Sequence, residues 1–134
     1  VIEAEEKYEK SGESVVIITY GRGVYWSLEA SKSFAGKIEI LDLRTLSPLD
    51  EDQILKSVKK HGKSLIVTEE PSSASFSLGI AGFIQENCFE FLDAPVKIIG
   101  SENTPAIPLN ENLEFTYLPN ASKVQKAIST LLEY

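Results

Sequence analysis

The sequence predicts an α/β domain with a mainly parallel sheet covered by helices on both faces. Three observations carry this. Four short apolar runs rich in β-branched residues alternate with helical patterns. The runs are almost wholly apolar rather than alternating in and out, as strands buried on both faces are. Finally, Leu41 to Asp50 (LDLRTLSPLD), read with TEEP at Thr68 to Pro71, writes out the ends of one β–α–β unit. A chain of 134 residues, 43% apolar, suits one domain (1–134) with a sizeable core.

Taken in order, Val1 to Gly12 is charged and weakly patterned, a lead-in with a short edge strand near Lys7 to Lys10. Val15 to Tyr20 is the first buried strand, broken by Gly21 and Gly23. A helix follows over Val24 to Phe34 and stops before Gly36. Ile38 to Leu43 is the second strand. Pro48 and the capping residue Asp50 set up a helix to Lys60, with Ile54, Leu55 and Val58 inward and His61-Gly62 at its end. Leu65 to Thr68 is the third strand, Ser75 to Phe91 a long helix of small residues, and Val96 to Ile99 the fourth strand. Ser101 to Pro119 carries prolines and reads as an extended loop. Ala121 to Leu132 is an amphipathic closing helix.

In such folds ligands sit beyond the carboxyl ends of the strands, at Tyr20 to Gly23, Asp42 to Thr45, Thr68 to Ser75 and Gly100 to Thr104. Little chemistry is legible there. Gly21-Arg22-Gly23 has the place of a phosphate loop but lacks the third glycine, with Trp26 in its position, so glycines that turn the chain are the expected reading. Adjacent acids Glu69 and Glu70 point to opposite faces of a strand, which suits an interface or a helix cap better than shared proton transfer. His61, in KKHGK, reads as an exposed residue at a helix end, and Cys88 as a half-buried structural thiol. One His and one Cys supply no metal set. Gly79 and Gly82 inside a helix cost about 1 kcal/mol each, so they imply close approach of another element, either the sheet below, which is favoured, or a partner subunit.

The net charge of −7 argues against nucleic acid and anionic membranes as partners and suits solubility or a basic partner. No segment approaches the ~18 apolar residues of a membrane span. A lone cysteine fits a reducing compartment. The chain begins with Val1 and has no Met, which is expected of a fragment of a longer chain.

The motifs resemble a known family. ITYGRGVYWSLEA, IEILDLRTLSPLDEDQILKSVKKHGKSLIVTEEP and IQENCFEFLDAPV followed by TPAIP are similar to the carboxy-terminal, transketolase-like domain of 2-oxoacid dehydrogenase E1 β subunits, from Val15 to Tyr134. IQENCFEFLDAP with Thr104-Pro105 is nearest the branched-chain (2-oxoisovalerate) type. The resemblance implies a three-layer α/β/α sandwich with a five-stranded mixed sheet, whose antiparallel first strand falls within Glu6 to Gly12. It implies a parent enzyme that decarboxylates a branched-chain 2-oxo acid and acylates a lipoyl arm. Thiamine diphosphate and magnesium would lie in that parent, between the α subunit and the amino-terminal domain of β, and not in this domain. The role implied here is assembly with E1 α-type and β-type domains and docking of the small basic subunit-binding domain of the E2 acyltransferase. Docking would use Asp93 and the carboxyl terminus at Tyr134, with Glu69, Glu70, Gly79 and Gly82 as candidate subunit-interface residues. The expected location is the cytoplasm, or the mitochondrial matrix in a eukaryote. The family usually has glycines after the strand-end acids, where this chain has Pro71-Ser72-Ser73-Ala74-Ser75-Phe76. The rival readings are a flavodoxin-like domain binding an anion near Gly21 to Gly23 and Thr68 to Ser75, and the same domain from a transketolase or deoxyxylulose phosphate synthase.

Overall fold

The computed structural model of the chain describes residues 13–103 and 110–134. Within them four strands, β1 (Val15–Thr19), β2 (Ile38–Asp42), β3 (Ser64–Pro71) and β4 (Lys97–Ser101), form one sheet in the order β2-β1-β3-β4. All pairings are parallel, with Val15 beside Ile38 and Val16 beside Ser64. The antiparallel edge strand expected within Glu6 to Gly12 lies outside the described residues.

Strand periodicity sorts the core into two layers. Val15, Ile17, Ile38, Ile40, Leu65 and Val67 pack against α1 (Gly23–Ser31) and α5 (Ala121–Leu132), chiefly through Ala30, Val124, Ala127, Ile128 and Leu131. Val16, Ile18, Leu41 and Ile66 face the other way, onto Ile54 and Val58 of α2 (Glu51–His61) and Ile80, Ile84 and Cys88 of α3 (Phe76–Cys88). Helix on sheet on helix is the three-layer sandwich the sequence implies. Cys88 is fully buried rather than half-buried, and burial raises its thiol pKa.

Element ends follow their residues. Asp50 Oδ1 accepts from Gln53 N at 3.1 Å and caps α2, whose first turn carries Glu51 and Asp52 and whose last carries Lys59, Lys60 and His61. Ser47-Pro48 is a cis peptide in the approach to it. Among the described residues, the one element the sequence reading lacks is α4 (Glu111–Tyr117), inside the stretch taken for a loop. Its start is a local signal: Asn110 accepts from Asn112 N, and Glu111 and Glu114 occupy the first turn.

The strand order reverses between β1 and β3, so the crevice of this fold opens at their carboxyl ends. The opposite, amino end gathers the loops that precede the strands.

Candidate docking surface

At the carboxyl end the crevice is filled by the protein's own side chains. Thr19 Oγ1 donates to Val67 O at 2.8 Å. A Cβ on Gly23 would strike Thr19 Oγ1 and the Val67 carbonyl, so this glycine serves close packing of α1 on the sheet. Gly21 has φ +58 with open space around it, the turn residue the sequence suggested. Tyr20 donates its hydroxyl to Glu70 Oε1 and accepts from Thr68 Oγ1 at 3.0 Å. Burial, then the Glu70 carboxylate, pushes the Tyr20 hydroxyl up to about 12. Glu70 Oε2 also accepts from Phe76 N at 3.0 Å, so Glu70 caps α3 across the loop from Pro71 to Ser75. That loop turns through Ala74 at φ +53.

Two open clefts flank this crevice. One, about 340 Å³, is lined by Arg22, Trp26, Glu111, Glu114, Phe115 and Leu118, among others. The other, about 370 Å³, lies by Gly21, Tyr25, Asp42 and Arg44. Arg22 stands over the Trp26 ring and reaches Glu69 and Glu114 at 3.5 Å each. Among the described residues no group of three or more His, Cys, Asp or Glu could hold a metal.

The amino end is built differently, and His61 corrects the sequence reading. It is fully buried, not exposed. Its Nδ1 lies 2.7 Å from Ser14 Oγ and its Nε2 3.0 Å from Glu39 Oε2. Glu39, 3% exposed on β2, also accepts from Ser57 Oγ and Lys60 Nζ at 2.7 Å each. The His61 hydrogen bond, ahead of those from Lys60 and Ser57, lowers the Glu39 carboxyl to about 2 against the pull of burial. An acid in the middle of IEIL was the sequence signal: a charge in a strand buried on both faces needs partners. Ser14 and His61 have no route to a substrate at this burial, so the trio is a structural network.

Gly62 ends α2 at φ +71, with its N–H donating to Val58 O. Its carbonyl accepts from Asp93 N at 2.7 Å, and the Asp93 carboxylate lies against its Cα. Asp93 itself is exposed, while Ala94 beside it is 6% exposed and sits in the α1–α5 core layer. Phe89 and Phe91 precede it, both exposed, with Lys59 5.1 Å over the Phe91 ring. Glu102 N–H donates to Tyr117 O at the end of α4, and α5 then packs along the sheet through Val124, Ala127, Ile128 and Leu131. Tyr134, two residues beyond the end of α5, is 67% exposed.

Gly79 and Gly82 depart from the favoured expectation. Neither meets the sheet, and a Cβ on either would find nothing within 4 Å. Ser77, Ile80, Ile84 and Cys88 form the buried face of α3, which turns both glycines outward beside exposed Phe76 and Leu78. Of the adjacent acids, Glu69 pairs with Arg22 and Glu70 caps α3, the helix that carries both glycines.

Residues 4–124 match the family model described as Transketolase, C-terminal domain. The chain is 33% identical over 129 residues to the 2-oxoisovalerate dehydrogenase subunit beta of Bacillus subtilis, covering 94% of this chain and 39% of that protein. It is 35% identical over 133 residues to the pyruvate dehydrogenase E1 component subunit beta of Rickettsia felis, covering 97% and 40%. A third relative is the acetoin:2,6-dichlorophenolindophenol oxidoreductase subunit beta of Cupriavidus necator, 34% identical over 126 residues, covering 92% and 37%. The chain thus spans about two fifths of the length of these relatives. Among solved structures, a split gene transketolase described as an inactive beta4 tetramer superposes with a TM-score of 0.76 at 21% identity, over 92% of this chain and 41% of that one, which speaks for the fold alone. The match over most of the chain and the layered parallel sheet agree, and the chain belongs to the transketolase C-terminal domain family.

Proposed function

We propose that this chain is the carboxy-terminal domain of an E1 β-type subunit, in a thiamine-diphosphate-dependent 2-oxoacid dehydrogenase, and that it serves assembly and docking rather than chemistry. One observation carries the assignment to that subunit. Relatives named for 2-oxoisovalerate, pyruvate and acetoin enzymes match at nearly equal identity, and each is a subunit beta. What they share with this chain is therefore tied to the subunit rather than to one substrate. The cofactor and its magnesium belong to the rest of the parent, where they supply the acyl-carbanion chemistry. The residues of this chain would hold the partner surfaces.

The docking surface in this reading is the amino end of the sheet, with Asp93 and Tyr134 as contacts for the basic subunit-binding domain of the E2 acyltransferase. Asp93 is exposed on a pinned backbone, and opposite charge speeds and orients association. The outward face of α3, with Gly79 and Gly82, is the proposed contact to an E1 α-type or β-type subunit. Within the class we propose a branched-chain 2-oxo acid as the parent's substrate, on the phrase from Ile84 to Pro95. Turnover of 2-oxoisovalerate against pyruvate by the full parent decides that point.

Calorimetric titration of this chain with the E2 subunit-binding domain, at low and high salt, tests the docking role. Saturable binding that weakens with salt and is reduced by Asp93→Ala is expected. A folded chain that shows no binding at low salt would overturn the docking role for this chain.

A further inference from the structure

We infer that Gly62 is a positioning residue for the Asp93 carboxylate, keeping open the space which that carboxylate occupies when a partner docks. The inference rests on the docking reading above and adds a second residue to it, on a different element. Position 62 meets two separate demands. As the C-cap of α2 it has φ +71, which glycine adopts freely and asparagine tolerates. It also lies under Asp93: a Cβ added there would overlap Asp93 Oδ2, stand 2.9 Å from Asp93 Cγ and 3.1 Å from Phe91 O. Only glycine meets both.

The backbones on either side cannot move apart to relieve such an overlap. Asp93 N is tied to Gly62 O at 2.7 Å, and Ala94 is anchored in the core. On the other side His61 is held by Ser14 and Glu39. The free end of the Asp93 side chain is the part that yields. A side chain at 62 therefore displaces the carboxylate while leaving the fold in place.

The test is a double-substitution cycle on this chain, titrated with the E2 subunit-binding domain, using Gly62→Asn, Asp93→Ala and both together. Asparagine keeps the left-handed cap, and thermal melts confirm that each variant is folded. Asp93→Ala is expected to weaken binding by about tenfold or more. Gly62→Asn should cost about threefold to tenfold alone and nothing further in the Asp93→Ala background, because coupled residues are non-additive. Equal loss from Gly62→Asn in both backgrounds, or no loss beside a clear effect of Asp93→Ala, overturns the positioning role and leaves docking through Asp93 standing. If Asp93→Ala binds like the parent chain, the docking reading and the role of Gly62 in it fall together.

Discussion

At the amino end of the sheet Glu39 is 3% exposed and draws hydrogen bonds from Ser57 and Lys60 while facing His61. At the carboxyl end Arg22 keeps 54% of its side chain exposed and reaches two carboxylates at 3.5 Å. Both are charged clusters, yet they do different work. A buried acid with short, varied partners is costly to disturb, because any partner removed leaves a desolvated charge behind. An exposed guanidinium loses little, because water replaces what is taken away. The end that holds the buried network is also the end that carries Asp93. The end where the guanidinium stands exposed carries the open clefts.

Five substitutions at four positions would break or sharpen that contrast. The largest effect is expected from Glu39→Ala, which strands His61, Lys60 and Ser57 and should cost about 3 kcal/mol or more in denaturant unfolding. The same acid sets a pH limb. Its folded pKa, about 2, lies below the ordinary 4.5, so its contribution is present above pH 4.5 and fades as pH falls toward 2. Glu39→Gln should flatten that limb of the stability curve. A limb of unchanged depth would place the acid sensitivity elsewhere.

Glu70→Ala comes next, at about 1 kcal/mol for the lost cap on α3. Spectroscopic titration should show the Tyr20 hydroxyl moving down from about 12, only part of the way, since burial remains the larger cause. Gly79→Ala should raise the stability of this chain by up to about 1 kcal/mol, because the new methyl meets nothing and the helix gains. Loss of stability instead would mean that the outward face of α3 is covered in this chain itself. The smallest effect is expected from Arg22→Ala, under about 0.5 kcal/mol and smaller still in high salt. A larger loss would mean that Trp26 needs the stacked guanidinium.

The strands and most helices were legible because their signals are local. VVIIT declares a doubly buried strand, and Asp50 caps α2 where its position predicts. α4 was equally local but hidden by flanking prolines, although Asn110 followed by acids is a helix start. His61 failed for another reason. Its character comes from Glu39 and Ser14, 22 and 47 residues away in sequence, and the lysines beside it point the wrong way. The glycines of α3 were readable in principle, since the phase set by Ile80, Ile84 and Cys88 already turns them outward. The lock between Gly62 and Asp93 joins residues brought together only by the packed end of α3, and no spacing in the chain announces it.

Trp26 is the only tryptophan in the chain, and it lines the carboxyl-end cleft beside Arg22 and Phe115. Its emission is therefore a built-in gauge of one end of the domain. A tryptophan-free partner seated at Asp93 should leave that emission unchanged even at saturation. A ligand that shifts it has entered from the other side, so a fluorimeter can tell the two faces of this domain apart without a label.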